Sequence, residues 1–184
     1  ATIELPAIMA ETYEHTRDAK FLKEVLLPCA DAGLDYYASR FTQRDARGRM
    51  LMAGVGCAET YQGVDNPCTE IGCLKYLLTK LLSFEIDDAR RAKWSKLLEE
   101  MPGVPLRRIR GMDLLAVGEA YDSGREICES PELYSIYPFR QVWLGKPELL
   151  AHARQSFHVR NISLDGTDDK QAVETGGWQS APLQ

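Results

Sequence analysis

The chain contains no apolar run of the roughly 18 residues that a membrane-spanning helix requires. Its first residues, Ala1-Thr2-Ile3-Glu4-Leu5, place no basic stretch ahead of an apolar core, so they do not read as a secretory signal. A basic stripe is missing too. The 22 Lys and Arg stand against 27 Asp and Glu, for a formal net charge of −5. Nucleic-acid binding normally shows a basic face, and the densest basic run here, Arg107-Arg108-Ile109-Arg110, suits a solvated loop. The five cysteines are an odd number and form no Cys-x-x-Cys pair, which argues against a disulfide framework or a zinc ribbon. That usage favours a cytoplasmic over a secreted setting. No His-Glu-x-x-His or Ser/His/Asp pattern surrounds His15, His152 or His158. Gly54-Val55-Gly56 lacks the third glycine of a dinucleotide loop. No metal, no cofactor, no nucleic acid and no membrane partner is therefore expected.

What is present is the composition of a folded protein, with 45% hydrophobic and 27% charged residues. Apolar residues at helical spacing predict helices over residues 6–16, 20–41, 68–84, 88–101 and 147–159, a short one over 131–137, and a last one from about Asp168. Pro28 should bend the second helix or mark a junction. Asn66 and Pro67 suit the cap and first position of the helix that follows, and Asp87 or Asp88 caps the next. Residues 53–67 and 106–121 read as loops, with Phe41 and Met50-Leu51-Met52 as short strands. Cys68 and Cys73 fall near one helical face, where small buried hydrophobes are the expected role. The fold expected is all-α: about seven helices paired as hairpins, with short strands in the loops.

Four motifs carry a resemblance. Tyr13-Glu14-His15-Thr16-Arg17-Asp18 precedes Phe21-Leu22. Cys57-Ala58-Glu59-Thr60 is followed by Asn66-Pro67-Cys68-Thr69-Glu70. Leu133-Tyr134-Ser135-Ile136-Tyr137-Pro138 and Gly176-Gly177-Trp178-Gln179 come later. In this order they resemble segments of six-hairpin, (α/α)6-barrel glycosidases, in particular family-95-type glycoside hydrolases acting on α-L-fucosides and related sugars. The chain departs from that family at Ala58, where the family has proline, and at Glu132, where it has histidine. The asparagine-rich segment that holds the family's catalytic water has no counterpart. The resemblance implies part of an (α/α)6 toroid, with residues 1–184 a single segment incomplete at both ends. Such a half-toroid would expose apolar helix faces and self-associate.

Glycoside hydrolysis needs one carboxylic acid to protonate the leaving oxygen and a second carboxylate to activate water. By resemblance the general acid is Glu59, in a glycine-rich loop beside Tyr61. Glu70, Glu129 and Glu132 are candidates around the sugar, although each also suits a helix start, where a carboxylate complements the dipole. Trp178, after two glycines, suits an aromatic plate for a sugar face, and Tyr61, Tyr134 and Tyr137 suit further sugar contacts. The expected function is an inverting glycosidase on an α-L-fucoside-like sugar. The alternatives are a polysaccharide lyase, with Tyr61 as base and Arg140 as neutraliser, and a non-catalytic carbohydrate-binding module.

Overall fold

The computed structural model describes residues 3–59, 61–109, 111–122 and 130–160. Its helices are α1 (Glu4–Thr16), α2 (Ala19–Phe21), α3 (Leu27–Arg40), α4 (Cys68–Leu82), α5 (Asp88–Glu99) and α6 (Pro147–Arg160). Its strands are β1 (Val55–Cys57), β2 (Tyr61–Val64), β3 (Leu106–Ile109) and β4 (Met112–Leu115). The strands form two separate two-stranded antiparallel sheets, β1 with β2 and β3 with β4.

This corrects the all-α toroid. The chain is mixed α and β, and the segments expected as loops at 53–67 and 106–121 are β-hairpins. The reason is local. Gly54, Gly56, Gly63, Gly111 and Gly118 disfavour a helix in both stretches, whereas an antiparallel pair satisfies their backbone groups within a few residues. Gly63 and Gly111, at φ of 70° and 83°, supply conformations that other residues rarely adopt. At 41–52 the structure has only an isolated bridge, Arg44 with Met50. Without a half-toroid, the expected self-association loses its premise.

The chain divides into two compact units. The first comprises Ala1–Met52 with Cys73–Gly103, the second Ala53–Gly72 with Val104–Gln184. In the first unit, α2 runs into a π-helical turn over Leu22–Leu26 and then into α3. Leu27 N–H donates to Leu22 O, five residues back. Pro28 explains the insertion. It has no N–H, and its ring crowds the carbonyl of the preceding turn, so the helix widens just ahead of it. Ala10, Leu26, Leu34, Leu74, Leu77, Leu81 and Trp94 are fully buried there. Asp87 caps α5 by accepting from Arg90 N–H at 2.9 Å. Ion pairs join Lys80 to Glu14 and Arg90 to Asp31, at 2.5 and 2.8 Å.

In the second unit, α6 packs on β4. Ser156 Oγ accepts from Leu115 N–H at 2.7 Å and donates to His152 O at 2.9 Å. Leu115, Leu133, Val142 and Ala153 bury together at this contact. Gly118 lies so close to β2 that a Cβ would stand 2.3 Å from Val64 Cγ1 and 2.8 Å from Asp65 O. That approach lets the chain after β4 exchange backbone bonds with the end of β2: Asp65 N–H to Ala120 O and Glu119 N–H to Asp65 O, both at 2.8 Å. The 131–137 helix is a 3₁₀ turn over Pro131–Ser135. The last expected helix, from Asp168, lies outside the described residues.

Candidate functional site

The second unit gathers chemistry where the β1–β2 hairpin meets the first turn of α4. Cys57 ends β1, and Ala58 at φ 52° turns the chain toward Glu59, which is exposed. Tyr61 opens β2 and is buried, its ring edge-on to Tyr121 with centroids 5.8 Å apart. Asn66, expected as a helix cap, sits at φ 47°, and its side-chain amide donates to Glu119 Oε2 at 2.8 Å. Cys68, Thr69 and Glu70 form the first turn of α4. Cys68 N–H donates to Val117 O at 2.8 Å, and the Cys57 thiol reaches the same carbonyl at 3.8 Å. Cys57, Tyr61, Val64, Cys68 and Val117 make one buried cluster, with Tyr121 against it.

The two thiols ionise differently. Cys57 is held below the usual thiol range, chiefly by the neighbouring Cys68 thiol, with the Thr69 hydroxyl and N–H helping and burial opposing. Its sulfur accepts from Thr69 Oγ1 at 3.5 Å, at the positive end of α4. Cys68 is pushed well up, first by burial, then by Cys57, and further by the charges of Glu132 and Glu70. Its thiol donates to Pro131 O at 3.0 Å. Tyr121 is also raised, mainly by burial; the Arg107 guanidinium works the other way, lying 5.9 Å from the ring centroid. The buried Nε of Arg107 has no hydrogen-bond partner.

Of the residues expected at a sugar site, Glu59, Tyr61 and Glu70 fall in this one region. Glu70 is half-buried, and its Oε2 shares the single Thr69 hydroxyl proton with the Cys57 sulfur. Tyr134 is half-buried in the 3₁₀ turn, one residue from Leu133 of the α6 core. Tyr137 is exposed and Arg140 exposed at φ 50°. Glu129 and Trp178 lie outside the described residues. Cys68 and Cys73 are both buried, but the partner of Cys68 is Cys57 rather than its neighbour along the helix. Sequence reasoning missed Arg107, Tyr121 and the thiol pair. Only the fold brings them together, and nothing in their spacing announces it. It also missed Trp143, which is more than half exposed and whose six-membered ring fills the space where a Cβ on Gly145 would stand.

No family model matches the chain, and no curated protein matches it. Among the described residues, no helix is long and apolar enough to cross a membrane.

Proposed function

We propose that the second unit carries a carbohydrate site that hydrolyses an α-L-fucoside-like or related glycoside with inversion. Glu59 is the general acid, and Glu70 or Glu132 is the carboxylate that activates water. The observation that supports this reading is that Glu59, in the turn after β1, and Glu70, in the first turn of α4, flank the short strand β2 within one compact unit. Glu132, in the 3₁₀ turn, is the alternative base; its charge and that of Glu70 add, after burial and Cys57, to what keeps the Cys68 thiol protonated. Paired carboxylates are what glycoside hydrolysis requires, and the ordered motifs around Glu59 and Glu70 supply the sugar class.

Turnover on a panel of aryl glycosides, fucosides and rhamnosides first, tests this. Glu59→Gln should lose about 10²–10⁴-fold in kcat while calorimetry still shows the sugar bound. Full activity in that variant removes Glu59 as the acid. Glu70→Gln and Glu132→Gln tell which carboxylate serves the water.

The exposure of Glu59 favours one second reading, a non-catalytic sugar-binding module. It predicts a sugar-induced rise in Tm with no product released.

A further inference from the structure

Two cysteines far apart in function from any sugar chemistry meet in the core of the second unit. Cys57 is 1% exposed and Cys68 0%. Both approach the Val117 carbonyl, one through its thiol and the other through its N–H. The Thr69 hydroxyl, on the residue after Cys68, donates to the Cys57 sulfur. The side chains are thus neighbours across the hairpin–helix junction, and neither is bonded to another cysteine.

We propose that Cys57 and Cys68 form a reversible dithiol–disulfide couple, oxidised by peroxide-class oxidants, that fastens the β1–β2 hairpin to the first turn of α4. This stands independently of the sugar reading. Cys57 is the attacking thiol. Its sulfur displaces hydroxide from hydrogen peroxide as the O–O bond breaks, leaving a sulfenic acid. Cys68 then attacks the Cys57 sulfur. The S–S bond forms, the S–O bond breaks, and the oxygen leaves as water with the Cys68 proton. The two thiols lose two electrons and the peroxide gains them.

The environment divides these roles. The Cys68 thiol first, and then the Thr69 hydroxyl and N–H, favour a thiolate at Cys57, and a thiolate is the reactive form. Cys68 is held as a thiol partly by Cys57 itself. Oxidation of Cys57 removes its share of what opposes ionisation of Cys68, while burial and the Glu132 and Glu70 charges continue to hold Cys68 as the thiol whose proton leaves with the water. Entry of the oxidant requires the hairpin to open. Its strands are three and four residues long, and their pairing is irregular between Val55 and Cys57.

The test uses the full chain, reduced and then exposed to hydrogen peroxide, with intact mass and non-reducing peptide mapping. The expected result is a loss of about 2 Da, the two thiol hydrogens, with a Cys57–Cys68 cross-link that dithiothreitol reverses. In Cys68→Ala, dimedone should trap a sulfenic acid at Cys57. A cross-link that maps instead to Cys29, Cys73 or Cys128 overturns the proposal. So does a Cys57 that advances to sulfinic acid in the wild-type chain while Cys68 remains alkylatable. Mapping of the wild-type chain decides the matter even where the variant fails to fold.

Discussion

At Cys57, one neighbouring hydroxyl helps set how readily the thiol ionises. Thr69→Val keeps the side-chain shape but removes the donor to the sulfur. The midpoint for thiolate formation, read from the rise in near-ultraviolet absorbance with pH, should move up, and the thiolate fraction at neutral pH should fall. An unchanged midpoint would mean that the hydroxyl contributes nothing. The sign carries over to stability. Cys57 ionises below the usual thiol range when folded, so its charge stabilises the fold above the unfolded pKa. That contribution is lost as pH falls through the folded one. The sequence shows each cysteine but not the pair. Spacing along α4 showed Cys68 and Cys73 as buried residues of one helix, which they are, but not that the hairpin brings Cys57 to Cys68 from another element. Glu59 shows the converse. Its place in a loop was legible, but its exposure depends on how the hairpin turns at Ala58.

Elements divide by length and pattern. The stripe of α4 was readable because Ile71, Leu74, Leu78 and Leu81 recur at helical spacing, and all four are buried. The Asp87 cap was readable because a carboxylate before a helix accepts its first free N–H groups. Those bonds hold the Asp87 carboxyl below the usual carboxylate range, backbone donation from Arg90 first. Asp87→Ala should therefore lower Tm at neutral pH. The difference from wild type should shrink as acid takes the pH down through the folded pKa, because protonated aspartate no longer accepts well. The hairpins were not readable. Strands of three or four residues are too short to show alternation, and what defines them is pairing with a neighbour. One buried hydroxyl ties α6 to β4 within their apolar contact. Ser156→Ala removes the acceptor of Leu115 N–H and leaves a buried donor unpaired, at a cost of about 1–3 kcal/mol. Urea unfolding should show a lower midpoint with an unchanged slope. Substitution to threonine, which keeps the hydroxyl, should recover part of the loss.

Across the whole molecule, the four ordered motifs suggested a toroid because order constrains only the matched segments. One sheet, β1 with β2, overlaps the second motif itself, and the other, β3 with β4, fills the stretch between the second and the third, so neither region closes into a helical hairpin. Charge balance was legible from composition, and it restricts what the hairpin–helix junction can hold. The net charge is −5, and Glu59, Glu70, Glu119 and Glu132 all lie on the segments that build the junction. Like charges repel an incoming polyanion, and the repulsion reaches about 10 Å at 0.1 M salt. A neutral sugar should therefore bind with little dependence on ionic strength. Sulfated or uronate-rich saccharides should bind weakly in low salt and improve as salt is added. Titration of a neutral fucoside and of its sulfated counterpart across a salt series separates the two. Should the sulfated sugar bind more tightly at low salt, a cation must dominate the site; Arg107, with its unpartnered buried Nε, is the group to replace first.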